Sequence, residues 1–213
     1  MSKIYIIGIG PGSKEYLTSK AISTVENVDI AVGSTRAIEL FDNINEKIIF
    51  NVKDLEEKLE ESIDLAKSGK KIAILSTGDP GFSGVLNSVK RIANKKDFNI
   101  KNIETIPGIS SLQLAAAKNN ISWDNVNIMT FHGRENIDEI FEVINNGKKT
   151  IALPSRKVKD MAQFLIDNGI ESKRKVIVCE RLSYPDEKII ETTLDDVSKS
   201  EFTYMCVLII NES

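Results

Sequence analysis

Short apolar runs alternate with amphipathic stretches through the first half of the chain. Runs at residues 4–10, 28–32, 72–75 and 103–106 are rich in Ile, Val and Ala and have the length of buried strands. Between them, apolar residues at three- and four-residue spacing predict helices near 18–25, 35–41, 52–66, 83–93 and 112–117. The third of these is predicted to turn inward Val52, Leu55, Leu59, Ile63 and Ala66. Such alternation of strand and helix is typical of an α/β domain.

The second half of the chain has a more mixed pattern. Strands are predicted at 126–131, 150–153, 175–180, 188–193 and 204–210, with helices near 136–144 and 158–166. Little helical pattern separates the last two strands, so antiparallel pairing is expected there. The polar segment 119–124 links the two halves. We therefore predict two α/β domains, residues 1–119 and 125–213, with a cleft between them.

Composition and charge narrow the classes of function. The 213 residues are 41% hydrophobic and carry 28 basic against 31 acidic residues, a net charge of -3. Because basic and acidic residues are nearly equal in number, we expect no broad basic surface of the kind that binds nucleic acids. No apolar run approaches the roughly 18 residues of a membrane span. Cys179 and Cys206 lie in apolar runs without metal-ligand spacing, which is typical of reduced core thiols. A cytoplasmic protein without nucleic-acid, membrane or metal partners is expected.

Candidate chemistry lies where three predicted strands end. The first strand ends in Gly8-Ile9-Gly10-Pro11-Gly12, and the 72–75 strand runs into Gly78-Asp79-Pro80-Gly81. The 103–106 strand leads to Pro107-Gly108-Ile109-Ser110-Ser111. Glycines let a backbone approach a ligand, and open α/β sheets bind their ligands at the carboxyl ends of the strands. These three segments therefore predict a small-molecule site.

The residues of these segments do not by themselves identify the ligand. The first loop departs from the dinucleotide fingerprint, because Pro11 stands in it and the next helix begins only near Thr18. Asp79 is either a ligand partner or a former of the Asp-Pro turn. Ser110 or Ser111 either caps the following helix or contacts the ligand.

Taken in order and spacing, the three glycine segments resemble the tetrapyrrole (corrin/porphyrin) methylase family, and the resemblance covers essentially the whole chain. It implies a class III methyltransferase fold of two α/β domains, with S-adenosylmethionine between them and the macrocycle in a neighbouring trough. It also implies a set of cofactor-binding residues, namely Pro11, Gly78, Asp79, Phe82, Ser110, Ser111, Leu153, Leu182 and Met205.

Two further stretches, Phe131-His132-Gly133-Arg134 and residues 180–187, resemble the branch of the family that methylates C5 of a precorrin macrocycle in cobalamin biosynthesis. The resemblance implies substrate binding by Gly10, His132 and Arg134. His132, the sole histidine, is either a catalytic proton acceptor or part of the cleft wall. Arg134 suits the carboxylate arms of the macrocycle. Additional arginines either assist it or are surface charges: Arg36, Arg156 and Arg181.

Family members commonly form homodimers, so a homodimer is expected. In many members of the branch that it resembles, a second domain methylates C15 and decarboxylates an acetate arm. A chain that ends at Ser213 leaves no room for that domain, so the resemblance implies a separate partner with this activity. Arg181 stands where the family pattern has Asn. The alternatives are another precorrin methyltransferase, a diphthine synthase that acts on an elongation factor, or a non-catalytic ligand-sensing module. Whether the macrocycle carries cobalt is left open.

Overall fold

The computed structural model describes residues 2–131, 137–154 and 157–212. The chain divides into two compact units, Met1–Ser110 and Ser111–Ser213. The boundary falls just before a helix at Ser111–Lys118, which packs on strands of the second unit. Within the described ranges, no helix combines the length and apolar character needed to cross a bilayer.

The first unit is built on a parallel sheet of five strands. They are β1 (Lys3–Gly8), β2 (Ile30–Gly33), β3 (Glu46–Ile49), β4 (Lys71–Ser76) and β5 (Ile103–Ile106). Their spatial order is β3-β2-β4-β1-β5, and each neighbouring pair runs parallel. Since all five strands point the same way, the loops that follow β4, β1 and β5 emerge side by side at one edge of the sheet.

Helices cover both faces of this sheet. One face packs against α3 (Leu55–Lys67) and α4 (Leu86–Lys95) through Leu59, Ile63 and Ile92. The other packs against α1 (Ser19–Val25) and α2 (Thr35–Ile38). Two single turns of 3-10 helix lie at Lys14–Tyr16 and Ile100–Asn102. Burial on both faces explains why the central strands read as continuous apolar runs.

The second unit holds a mixed sheet with the order β6-β7-β10-β8-β9. Its strands are β6 (Asn127–Thr130), β7 (Thr150–Leu153), β8 (Lys175–Glu180), β9 (Lys188–Thr193) and β10 (Cys206–Ile210). β6 and β7 are parallel, whereas β10 pairs antiparallel with β7 and β8, and β8 with β9. Antiparallel pairing at the end of the chain is confirmed, but the last two strands do not pair with each other. β9 and β10 each pair antiparallel with β8, which lies between them, and a short helix separates them along the chain.

Four helices accompany the second sheet. On one face lie α6 (Ile137–Ile144), α7 (Val158–Asp167) and α8 (Leu194–Ser198), around a core that includes Met161, Leu165 and Leu208. On the other lies α5 (Ser111–Lys118), where the amide of Asn119 donates to Cys179 Sγ at 3.4 Å. Because Cys179 and its neighbour Val178 point to opposite faces of β8, both faces of this strand are covered.

Two predictions about helix starts are wrong. Val52 is 94% exposed, and α3 begins only at Leu55, because residues 51–54 form a turn in which Asp54 accepts the N–H of Asn51 at 2.6 Å. Likewise α4 begins at Leu86 rather than near Ser83, which has a left-handed φ of 54°. The chain turns at Ser83 before the helix can start.

Candidate active site

Three loops at the carboxyl edge of the first sheet carry half of the predicted site residues. The first loop (residues 8–12) follows β1, the second (76–84) follows β4, and the third (107–110) follows β5. Because β1 lies between β4 and β5, the first loop is flanked by the other two. The sheet thus brings together three segments that the sequence separates by up to a hundred residues.

Backbone hydrogen bonds join the first and second loops. The N–H of Ile9 donates to Ser76 O at 3.0 Å, and Gly78 N donates to Gly10 O at 2.8 Å. The return bond, from Gly10 N to Gly78 O, is 3.4 Å long, so that the two glycines form an isolated antiparallel bridge. Both have positive φ, 76° at Gly10 and 68° at Gly78. Pro11, next in the first loop, is buried.

The third loop approaches the other two so closely that side chains are excluded. A Cβ added to Gly108 would lie 2.4 Å from Gly78 O and 2.6 Å from the carbonyl carbon of Gly8. A Cβ on Gly8 would lie 2.4 Å from Gly108 N. These glycines are therefore required by contact between the three loops themselves. Gly78 differs: a Cβ there would meet only Ser110 Cα, at 3.8 Å, and its positive φ of 68° is what favours glycine.

Asp79 fastens the second loop to the third. Its Oδ1 accepts the N–H of Gly81 at 2.8 Å, which closes the Asp-Pro turn, and its Oδ2 accepts the N–H of Gly108 at 3.2 Å. Each carboxylate oxygen has a further lone pair. The turn-forming role and a ligand role are thus compatible. Phe82 follows in the same turn, and its N–H donates to Asp79 O at 3.4 Å.

The predicted residues of the second unit also share one edge of a sheet. Leu153 is the last residue of β7, Leu182 follows β8 by two residues, and Met205 directly precedes β10. Since β10 runs antiparallel to β7 and β8, its start lies beside their ends. Arg181 N donates to Met205 O at 2.8 Å, so the structure brings the segments of Leu182 and Met205 together. Ser111 is the first residue of α5, directly after Ser110.

The turn after β8 (residues 181–187, here called the β8–β9 turn) has an unusual backbone. Arg181 and Ser183, on either side of Leu182, have left-handed φ values of 51° and 72°. The Arg181 guanidinium lies 4.7 Å from the ring centroid of Tyr184, and its Nε lies 2.6 Å from Asp186 Oδ2. The Tyr184 hydroxyl is buried without a hydrogen-bond partner among the described residues.

Two glutamates of the 180–187 stretch stabilise this edge, a role that the sequence analysis did not predict for them. Glu180, buried in β8, accepts the N–H of Thr203 at 2.6 Å and so holds the approach to β10. Glu187 accepts the N–H of Ser183 at 2.8 Å and pairs with Lys118. Burial alone would raise the pKa of Glu187, but the Ser183 N–H and Lys118 lower that pKa below its usual value. Their apolar or turn-rich neighbours gave no signal for these roles.

Two of the predicted substrate residues, His132 and Arg134, lie outside the described residues, as does Arg156, which was left as either an additional contact or a surface charge. Arg36 lies near the rim of the second loop, with its Nη2 3.5 Å from Thr77 Oγ1. Within the described ranges, no group of three or more His, Cys, Asp or Glu side chains could hold a metal ion.

The chain is similar to known proteins along almost its whole length. The family model of the tetrapyrrole (corrin/porphyrin) methylases matches residues 3–198. A protein of Methanocaldococcus jannaschii, described as a probable cobalt-precorrin-7 C(5)-methyltransferase, is 48% identical over 97% of this chain and 96% of its own. The cobalt-precorrin-4 C(11)-methyltransferase of the same organism is 29% identical, over 92% of this chain and 81% of its own.

A solved structure shares the fold. The uroporphyrin-III C-methyl transferase from Thermus thermophilus, complexed with S-adenyl homocysteine, superposes with a TM-score of 0.76 at 20% identity, covering 98% of this chain and 92% of that one. The family model spans nearly the whole chain, and the 48% identical relative matches along almost its full length. On these grounds the chain belongs to the tetrapyrrole (corrin/porphyrin) methylase family.

Proposed function

We propose that this protein is an S-adenosylmethionine-dependent methyltransferase that methylates C5 of a precorrin or cobalt-precorrin macrocycle in cobalamin biosynthesis. The observation that carries the proposal is the 48% identity to the probable C5 enzyme over 97% of the chain. The C11 enzyme of the same organism is only 29% identical. Since both belong to one organism, the difference between the two identities separates C5 from C11 as the position of methylation.

The loops of the first unit suit a cofactor with both polar and apolar parts. Gly78 presents backbone without a Cβ beside Ser110, and Asp79 keeps acceptor capacity beyond its two backbone bonds. Pro11, Phe82 and Ser110 complete the set in this unit, with Gly10 as a contact to the macrocycle. When bound, S-adenosylmethionine supplies a methyl group that its sulfonium makes electrophilic. Asp79 and the loop backbones would hold and orient it.

In the second unit, the proposed cofactor contacts are Ser111, Leu153, Leu182 and Met205. The last three lie at one edge of the sheet, and the bond from Arg181 N to Met205 O fixes two of their segments. Arg134 would pair with carboxylate arms of the macrocycle, because a guanidinium can bind a carboxylate with two parallel hydrogen bonds. His132 would accept or guide the proton that leaves the ring carbon after methylation.

Positioning is the main contribution of these residues. Transfer of an activated methyl group to an electron-rich ring carbon depends on alignment of the carbon, the methyl and the sulfur more than on a strong base. The backbone bonds and close glycine contacts among the three loops make this part of the site rigid, which favours such alignment.

The experiment that tests the proposal is a methylation assay with purified protein. The protein is incubated with methyl-labelled S-adenosylmethionine and either precorrin-7 or its cobalt form, and the labelled carbon is identified by NMR. We expect label at C5, and the faster of the two substrates identifies the natural one. Label at another ring carbon, or none with either macrocycle, would reject the proposal.

We also propose that the protein is a cytoplasmic homodimer that works beside a separate enzyme acting at C15. The family resemblance supports the dimer. Light scattering on the purified protein should give twice the chain mass of 23.7 kDa. A mass of one chain at micromolar concentration would contradict it.

A further inference from the structure

The β8–β9 turn holds a backbone conformation that its sequence does not favour. Arg181 and Ser183 both carry a Cβ, yet both have left-handed φ values, 51° and 72°. Left-handed backbone is unfavourable for residues with a Cβ and persists only where surrounding contacts hold it. Leu182 lies between them and is 5% exposed. Contacts around the turn therefore keep it in place.

Backbone hydrogen bonds hold part of the β8–β9 turn. Arg181 N donates to Met205 O at 2.8 Å, and Tyr184 N donates to Arg181 O at 3.1 Å. Glu187 N donates in turn to Tyr184 O at 3.0 Å. These bonds close the ends of the turn, but none of them reaches Ser183, the second left-handed residue.

The carboxylate of Glu187 supplies that contact and one more. Its Oε2 accepts the N–H of Ser183 at 2.8 Å, while its Oε1 lies 2.9 Å from Lys118 Nζ. Lys118 is the last residue of α5, so one side chain connects the turn to a helix packed on the same sheet. The Glu187 side chain is 20% exposed, which favours a stronger interaction than a fully solvated pair would give.

Neighbouring acidic residues do not share this arrangement. Asp186 is 59% exposed and pairs with the Arg181 side chain rather than with the backbone of the turn. Glu191 is an exposed residue of β9. These residues offer controls that remove a carboxylate near the turn without removing the contact to Ser183.

We propose that Glu187 is a positioning residue that holds Leu182 and the surrounding backbone in their cofactor-binding form by bonding Ser183 N and Lys118 at once. This inference rests on the proposed function, since it assigns Leu182 to the cofactor. Glu187 acts on the turn and does not touch the cofactor or the reacting atoms.

The test measures the dissociation constant of S-adenosylhomocysteine by calorimetry for the full chain and four variants. Glu187→Ala removes both contacts, so affinity should fall at least about tenfold. Glu187→Gln keeps an oxygen that can accept from Ser183 N and should restore affinity to within about threefold of the original. Lys118→Met should cost about threefold or less, because partly exposed ion pairs contribute little. Glu191→Ala should leave affinity unchanged.

A second readout separates positioning from general stability. With saturating macrocycle and varied cofactor, Glu187→Ala should raise the KM for S-adenosylmethionine while kcat stays within about threefold. Equal affinity in Glu187→Ala and the unaltered protein would overturn the inference, as would a Gln variant as weak as the Ala variant. If affinities follow the expected order but no methyl reaches C5, the positioning role stands and the proposed substrate fails. Absence of cofactor binding by the unaltered protein would overturn both.

Discussion

At the scale of single residues, Gly108 shows that the three loops can pack together only because glycine has no side chain. Alanine there would bring Cβ to 2.4 Å from Gly78 O, and the obstacle is backbone that cannot rotate away. We expect Gly108→Ala to lower the free energy of unfolding by about 3 kcal/mol, at the upper end for overpacking. Urea unfolding followed by circular dichroism measures this loss.

Gly147 offers the matched control for Gly108. It has a positive φ of 79°, but a Cβ there would meet no atom within 4 Å. Gly147→Ala should therefore cost only about 1 kcal/mol, from backbone strain alone. Equal losses in the two variants would contradict the role assigned to contact between the loops.

Asp79 links loop geometry to cofactor binding. Asp79→Ala removes the acceptor for both Gly81 N and Gly108 N, so we expect affinity for S-adenosylhomocysteine to fall at least about tenfold. Asp79→Asn keeps one acceptor oxygen, while its NH2 group would face the other N–H, so an intermediate loss is expected. Calorimetry measures both, and wild-type affinity in the Ala variant would contradict the expectation.

The sequence located these residues but did not give the reasons for them. The glycine segments and Asp79 were found because turn-forming residues followed apolar runs. The contact from Asp79 to Gly108 crosses 29 positions of the chain, and no periodicity reports such a pairing. The role of Glu187 was missed for the same reason, since its partner Lys118 belongs to a distant helix.

At the scale of elements, α3 shows how far an apolar period can be trusted. Leu59 is 1% exposed whereas Val52 is 94% exposed, although both fit the same three- and four-residue spacing. We expect Leu59→Ala to cost about 2–5 kcal/mol of unfolding free energy and Val52→Ala no more than about 0.5 kcal/mol. Urea unfolding of the two variants distinguishes them. A comparable loss in both would mean that Val52 is packed after all.

The bounds of several strands were predicted accurately, both for the buried β8 and for the largely exposed β9. The predicted bounds of β7, β8 and β9 agree with the structure, and β5 agrees as well. β3 was missed although Ile48, Ile49 and Phe50 form a short apolar run, because Glu46 and Lys47 make up the rest of this exposed edge strand. The short α8 was missed because only Leu194 and Val197 are buried in it. Marginal elements are formed by their neighbours rather than by their own pattern.

At the scale of the whole molecule, the two buried thiols should make the free energy of unfolding fall as the pH rises into the alkaline range. Burial raises the pKa of Cys179 to about 11 and that of Cys206 to about 12. An unfolded thiol has a pKa of about 8.5. Above that pH the unfolded chain loses protons that the folded chain keeps, so stability falls as pH rises towards the folded pKa values. Below about pH 8 the thiols should contribute no pH dependence.

Replacing both cysteines separates the contribution of the thiols from that of other titrating groups. Cys179→Ala combined with Cys206→Ala should show a shallower loss of unfolding free energy between about pH 9 and pH 11 than the unaltered protein. Iodoacetamide should label the unaltered protein at pH 8 only after denaturation, because the folded thiols stay protonated and buried. Parallel pH profiles, or rapid labelling of the folded chain, would contradict the expectation.

By itself, the sequence determined the α/β class, the main strands and the family, because buried strands and glycine turns leave local patterns that survive in one dimension. The tertiary structure decided which of those turns meet and why. Gly8 and Gly108 are glycines because loops pack backbone against backbone, whereas Gly78 is a glycine because its φ is positive. Asp79 accepts an N–H from another loop, and Glu187 connects its turn to a distant helix. Such contacts depend on the order of strands in the sheets, which hydrophobic periodicity does not encode.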